Sequence, residues 1–327
     1  MVVVENQLTT QNPMYQDEIK LATLMPNKLH VVAVISNPCN FQTRWRLAKE
    51  FITRMNRNKQ LILYVVEMIY PKFNKDFMVT NKYNPKHLQL KTTTPIWHKE
   101  NMVNIGIAKL LPKDWKYVAW IDADIEFENS HWVSDTLSKL SSTNDIVQLF
   151  SHAIDMDKNR NAMQIFQGSI YQYISHMKRG DGLNYWHPGY GWACTKEAYN
   201  KMGKIFELGI LGSADDHMLK SWIGEQSWIT SVHSKCDKDY KDAVEEFANN
   251  TCDFKLGYIN GVIKHNYHGT KANRKYKERW EILVNHNFSP KNHLTVDKDG
   301  ILIPSDTCPI GLLEDIMLYF KERNEDD

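Results

Sequence analysis

The sequence is poor in cysteine. Five are scattered over 327 residues (Cys39, Cys194, Cys236, Cys252 and Cys308), and no two form a CxxC pair. An odd, unclustered set makes neither a zinc cluster nor a disulfide framework, and it fits a reducing compartment. Long apolar runs are missing too. The longest, "LILYVV", is far short of the roughly 20 residues a membrane-spanning helix needs. The opening "MVVVENQLTTQNP" has no basic start and only a short apolar run, so it does not read as a signal peptide. The chain is therefore expected to be soluble and cytoplasmic, without a membrane span. Charge of one sign is also lacking, with 40 Lys+Arg against 39 Asp+Glu. A general nucleic-acid or anionic-membrane binder would show a basic excess, so no nucleic-acid partner is expected.

What is present suffices for a substantial core. Hydrophobic residues make up 42% of a length that fits one large domain or two smaller ones. Ten tryptophans serve core packing first, and stacking on flat ligands or sugar rings second.

Residues 1–27 are polar and are expected to be a flexible segment. "HVVAVIS" (His30 to Ser36) is apolar and β-branched, the pattern of a buried parallel strand. "NPCN" breaks it, and "FQTRWRLAKEFITRMNRN" then places Phe41, Trp45, Leu47, Phe51, Ile52 and Met55 near one helical face. "LILYVVEMIY" (Leu61 to Tyr70) is a second buried strand, which completes a βαβ unit. "KENMVNIGIAKLL" (Lys99 to Leu111) predicts a helix stopped by Pro112, and "YVAWI" and "DIVQLFSHAIDMD" each begin as strands. The expected class is α/β, with a mostly parallel central sheet and helices on both sides. The second half is less regular and reads as an extension wrapped onto the first.

Four stretches carry groups suited to chemistry. The first is "YVAWIDADIEFEN", where a strand runs into Asp122-Ala123-Asp124. Strand geometry points residues i and i+2 the same way, and the carboxyl ends of strands in open α/β sheets are where ligands bind. Two such carboxylates suit a hard divalent cation, although two turn-forming acids would give the same pattern. Glu126 and Glu128 follow, and acid at that density repels itself without a cation or partner.

The second is "HPGYGWACTKEAY". Gly189 and Gly191 allow close backbone approach, while Trp186, Tyr190 and Trp192 offer flat faces for a sugar, or pack inward around a tight turn. The third is "GILGSADDHML". Asp215 and Asp216 open a helix, which the helix dipole favours; either is also a candidate general base. The fourth is "KHNYHGTKANRKYKERW". His265 or His268 is a candidate metal ligand, and Lys271, Arg274 and Lys275 are placed to clamp phosphate oxygens.

With these four in view the chain resembles the GT-A glycosyltransferases, the metal-dependent, Rossmann-like nucleotide-diphospho-sugar transferases. It is most similar to glycosyltransferase-2-like proteins of bacteria and viruses. The resemblance runs roughly from Leu29 to Gly300 and is carried by "YVVEMIYP", "WHKENMVNIGIAKLLPKDWKYVAWIDADIEF", "WHPGYGWACTKEAY", "LGSADDHM" and "HNYHGTKANRKYKERWEIL".

It implies one catalytic domain over residues 28–327. A nucleotide-sugar half would span 28–145, an acceptor half 146–240, and an extension closing the donor site 241–327. It implies that Asp124 ligates Mn²⁺ or Mg²⁺ and that Asp122 contacts ribose and metal-bound water. His268, preferred to His265, would complete the metal shell. Ser36, Asn37, Pro38, Glu67, Lys99, Asn101 and Ala123 would frame the nucleotide, and Lys271 and Arg274 would hold the diphosphate. Trp186, Tyr190, Gly191 and Trp192 would bind the acceptor. Asp215 ranks above Asp216 as catalytic base, because related patterns keep an acid at the first position and often have His at the second.

The implied reaction moves a sugar from a nucleotide-diphosphate donor to a hydroxyl with inversion, UDP being favoured over GDP. The acceptor would be a glycan, a lipid-linked sugar or a protein. A carbohydrate-binding protein that has lost catalysis, or a sugar nucleotidyltransferase, are the competing readings.

Overall fold

A computed structural model describes residues 28–175, 186–225, 235–276 and 278–327. The segment 1–27, expected from sequence to be flexible, lies outside the described residues. The chain begins with β1 (Leu29–Ser36), α1 (Gln42–Met55), β2 (Leu61–Ile69), β3 (His87–Lys91), α2 (Lys99–Leu110) and β4 (Tyr117–Ile121). These elements match the sequence expectation closely, apart from β3, which no periodicity marked. Next come β5 (Ile125–Phe127), α3 (Trp132–Ser142), β6 (Ile146–Gln148), β7 (His152–Met156), β8 (Ala162–Gly168), α4 (Ser169–Ile174), β9 (Trp186–His187) and β10 (Gly191–Thr195). The stretch expected to begin as one strand after residue 145 is thus two, β6 and β7. The rest comprises α5 (Lys196–Met202), α6 (Ala214–Trp222), α7 (Lys238–Thr251), β11 (Leu256–Tyr258), β12 (Val262–His265), α8 (Arg279–Asn285), α9 (Pro290–His293), β13 (Leu294–Val296), β14 (Leu302–Pro304) and α10 (Ile310–Glu322).

The central sheet has the order β11-β6-β10-β4-β1-β2-β3. Every neighbouring pair is parallel except the two made by β10, which runs antiparallel between β4 and β6. The pleat of β1 sends alternate residues to opposite faces. Val31, Ala33 and Ile35 pack with Trp45, Ala48, Phe51 and Met55 of α1 and with Trp132 and Val133 of α3. Val32 packs instead with Met102, Val103 and Ile105 of α2. Both faces are therefore covered, which is why these strands read as continuous apolar runs.

On the α2 side the approach is close. A Cβ added at Gly106 would lie 2.8 Å from Val66 Cγ2 and 3.0 Å from Val32 Cγ1. The residue without a side chain lets this helix, buried over Glu100–Ile107, lie flat on the sheet.

A second sheet, β5-β12-β7-β8-β9, stands at the carboxyl end of β4. Its register positions the candidate site. β12 pairs antiparallel with β5, with His265 opposite Ile125, and parallel with β7, with His265 opposite Asp155. Asn266 N–H donates to Asp124 O at 2.9 Å. On the other side, β10 begins beside the end of β4, and Asp122 N–H donates to Tyr190 O at 2.8 Å.

Candidate functional site

A cavity of about 880 Å³ opens where β1 and β4 end. Ser36, Asn37, Pro38, Lys99, Asp122, Ala123, Asp124, Trp186, Tyr190, Asp215, Asp216, His268 and Arg274, all singled out from sequence, line it. Residues from six separate stretches of the chain thus meet at one place.

The acid wall comes from the turn after β4. Asp124 Oδ2 lies 2.9 Å from His268 Nε2 and 3.8 Å from His265 Nε2, and the two imidazole nitrogens are 3.1 Å apart. His265 Nδ1 lies 2.8 Å from Asp155 Oδ1, so with its Nδ1–H donating there Nε2 is the nitrogen that faces Asp124. Three ligand atoms converge, and separations near 3 Å are those of neighbouring ligands about 2.1 Å from one octahedral ion. Asp124 Oδ1 is buried and makes no hydrogen bond. A buried carboxylate oxygen left bare beside two imidazole nitrogens is the donor set a divalent cation satisfies.

Burial alone would push the Asp124 carboxyl up, but the His265 and His268 imidazoles outweigh it and hold it well below the usual carboxylate range. Burial likewise works against a charged His265, and Asp124 followed by Asp155 raises it above the ordinary histidine value. The cluster is an electrostatic unit that shares protons when no cation is bound.

Both histidines therefore belong to the cluster, rather than His268 in preference to His265. Asp122 does not join it: its carboxylate forms an ion pair with Lys99. Burial opposes a charged Lys99 ammonium, yet Asp122, Glu100 and Asp215 together raise it above the ordinary lysine value.

Asp215 sits at the start of α6, and its Oδ2 abuts Gly189, where an added Cβ would be 2.8 Å away. Burial raises the Asp215 carboxyl, with Lys99 partly offsetting it. Asp216 is paired with Lys220 at 2.8 Å. Of the two acids, Asp215 is the one without an ion-pair partner one helical turn away. Glu100, which sequence reasoning passed over, also lines the cavity, and burial pushes its carboxyl up to about 8.

Tyr190 has a positive φ of 76°. Its ring stacks on His187 at 4.0 Å and its hydroxyl donates to Asp155 Oδ1 at 2.9 Å. Strain of this kind persists where the surroundings over-determine a residue, as at a ligand site. Trp186 also lines the cavity.

Six sequence candidates lie away from the cavity lining, among them Lys275, which pairs with Glu322 at 2.7 Å. The Glu67 carboxylate accepts from the backbone N–H groups of Met78, Val79 and Thr80 and from the Thr80 hydroxyl, which makes it a loop clamp. Asn101 donates to Glu207 Oε2 and Gly300 O and accepts from Leu302 N–H, so it ties α2 to β14. Trp192 is fully buried against Trp222, and Gly191 packs near Leu149 and Ile121. Lys271 forms an ion pair with Asp155 and lies over the Phe166 ring, 3.8 Å from its centroid. Each has its hydrogen-bonding or packing needs met within the fold.

The site also contains residues that no motif signalled. Asp155 lies mid-strand in "HAIDM", and Arg44 and Glu325 lie far from it in sequence. Only the register of β7 with β12 could have revealed Asp155.

No protein-family model and no curated protein matches the chain. The chain is similar to several solved structures. A variant of the Drosophila beta1,4-galactosyltransferase 7, in complex with manganese, UDP-Gal and xylobiose, is 10% identical at a TM-score of 0.41. That match covers 88% of this chain and 98% of the other. A provisionally assigned nucleotide-diphospho-sugar transferase from Desulfovibrio desulfuricans is 10% identical at a TM-score of 0.34, covering 91% and 98%. The 4-diphosphocytidyl-2C-methyl-D-erythritol synthase of Anaerococcus prevotii is 12% identical at 0.34, covering 72% and 89%. The functional reading below rests on the site itself.

Proposed function

We propose that the chain is a metal-dependent glycosyltransferase of the GT-A kind that moves a sugar from a nucleotide-diphosphate donor to an acceptor hydroxyl. The observation that carries this reading is the meeting of Asp124, His265 and His268 in the same cavity as the half-buried Asp215. A metal triad and a separate carboxylate base are two elements that serve a direct displacement at an anomeric carbon.

Asp124, His265 and His268 would hold the cation, and two imidazoles beside one carboxylate suit Mn²⁺ better than Mg²⁺. Such an ion supplies Lewis-acid neutralisation of the donor's diphosphate. Arg274 lines the cavity next to His268, its NH2 donating to Nε2 at 2.8 Å; a cation on Nε2 would release that guanidinium to phosphate oxygens. Ser36, Asn37 and Pro38 lie where the nucleoside would be framed. Lys99 keeps Asp122 oriented through their ion pair.

Asp215 accepts the acceptor's hydroxyl proton as that oxygen bonds to the anomeric carbon. The bond from that carbon to the phosphate oxygen breaks in the same displacement, and the nucleoside diphosphate leaves with the electron pair. One displacement inverts the carbon. Burial brings the Asp215 carboxyl nearer to the proton affinity of its task. The preferred donor is a UDP-sugar and the acceptor a glycan or related hydroxyl, with Trp186 and Tyr190 at the acceptor end.

The test is calorimetric titration of UDP and GDP with Mn²⁺, and with a chelator, on wild type and on Asp124→Ala. Metal-dependent binding lost in the variant supports the donor site and identifies the base. No binding of either nucleotide under any metal condition would falsify the transferase reading and favour a sugar-binding role.

A further inference from the structure

The segment that follows α10 reaches into the site. Glu325 is 1% exposed, and its carboxylate meets three side chains. Arg44 grips it with Nε and with NH2, the latter at 2.7 Å, and Arg323 Nε donates to Oε1 at 2.7 Å. The third is His268, whose Nδ1 stands 3.3 Å from Glu325 Oε2. The same Arg44 donates from NH1 to Ser36 O at 3.0 Å, so one carboxylate is linked to both the loop after β1 and the histidine of the metal cluster.

The backbone there is tightly set. Gly269 has φ +83°, and a Cβ on it would lie 2.9 Å from Asn324 O and 3.0 Å from Arg323 O. The next residue, Asp326, accepts from Gln42 N–H at 2.9 Å and Thr43 N–H at 2.8 Å, at the N-terminus of α1. The free backbone donors of a helix start favour such a carboxylate.

An imidazole ligates a cation through one nitrogen only, and which one is set by what the other nitrogen donates to. An acceptor at Nδ1 leaves Nε2 as the unprotonated nitrogen, and Nε2 is the atom 2.9 Å from Asp124 Oδ2. The Arg274 guanidinium, donating to that same Nε2, requires a lone pair there as well. We propose that Glu325 is a positioning residue for the metal centre: it accepts from His268 Nδ1–H, fixes the tautomer, and so sets cation affinity without itself ligating the cation. His265 has the equivalent partner in Asp155, so each imidazole of the cluster is backed by a buried carboxylate. The proposal rests on the metal reading of Asp124, His265 and His268 above.

The experiment is Mn²⁺ titration of the full chain, without nucleotide, for wild type, Glu325→Gln and Asp326→Asn. Glu325→Gln is expected to weaken Mn²⁺ binding by roughly 10–100-fold. Asp326→Asn, which loosens the same segment without touching His268, is expected to leave it within about twofold. Equal losses in both variants, or none in Glu325→Gln, overturn the role while leaving the metal site standing. A wild-type chain that takes up no Mn²⁺ overturns both. Should Glu325→Gln fail to fold, ¹⁵N shifts of the His268 ring in the wild-type chain at alkaline pH decide the matter. An Nδ1–H tautomer supports the proposal and an Nε2–H tautomer ends it.

Discussion

His265 and Asp155 are 110 residues apart in sequence and are direct partners across two parallel strands, with Nδ1 and Oδ1 at 2.8 Å. Burial would raise the Asp155 carboxyl, but the His265 hydrogen bond and the Lys271 ammonium hold it far below the usual carboxylate range. The carboxylate is therefore a fixed acceptor that orients the imidazole.

Asp155→Asn is accordingly expected to reduce Mn²⁺ affinity by roughly 10–100-fold, since the amide is a weaker and differently oriented acceptor. Titration calorimetry with Mn²⁺ alone reads this directly. Unchanged affinity would mean that His265 does not ligate through Nε2.

Asp215→Asn is expected to lower turnover by roughly 10²–10⁴-fold and to leave nucleotide affinity within about threefold, as befits a proton acceptor remote from the donor. Separate measurement of kcat and of UDP binding checks the split. A loss confined to nucleotide binding would move Asp215 to the donor side.

The pH profile should respond to Lys99. The Asp215 carboxyl is raised by burial and lowered by the Lys99 ammonium. Lys99→Met removes the lowering influence, so Asp215 holds its proton to higher pH. The acidic limb of kcat/KM for donor turnover is expected to move to higher pH in the variant. A shift in the other direction would rule Asp215 out as the group behind that limb.

Stability is expected to fall on acidification through buried neutral histidines. His98 is 1% exposed, bonded to Tyr70 and to Leu302 O, and burial lowers it from 6.5 to about 4. A histidine with a depressed folded value is favoured in its neutral form. Its contribution is therefore fully present above 6.5 and lost progressively as pH falls towards 4. That gap corresponds to about 3 kcal/mol. Urea midpoints of wild type and His98→Gln should converge between neutral pH and pH 4.

Gly106→Ala tests the contact of α2 with the sheet. Alanine gains about 1 kcal/mol of helix propensity, but its methyl meets Val66 and Val32 at 2.8 and 3.0 Å. Overpacking at that closeness costs about 1–3 kcal/mol, so a net loss of about 1 kcal/mol is expected in chemical denaturation.

Much of the first half was legible because the signals are local. The bounds of β1, α1, β2, α2 and β4 follow from apolar periodicity and from stops such as Pro112. The candidate site was legible where a motif is contiguous, as at Asp122-Ala123-Asp124 and Asp215-Asp216. Glu67 and Asn101 misled for the same reason. Each lies in a stretch that resembles a nucleotide-binding segment, yet each is occupied with backbone groups that sequence does not reveal.

Local sequence alone sets the α/β alternation, the apolar strand that ends in acids, and the near-zero net charge. These depend on neighbours within a few residues, where side-chain size, branching and spacing act directly. The folded chain brings Asp124 rather than Asp122 up to the histidines, sets both histidines beside it, and puts Asp155 and Glu325 behind them. Those outcomes depend on the register of β12 between β5 and β7 and on where the segment after α10 is gripped by Arg44. A strand shifted by one residue would turn His265 to the opposite face, and the energy that prevents this comes from pairing across more than a hundred residues of chain.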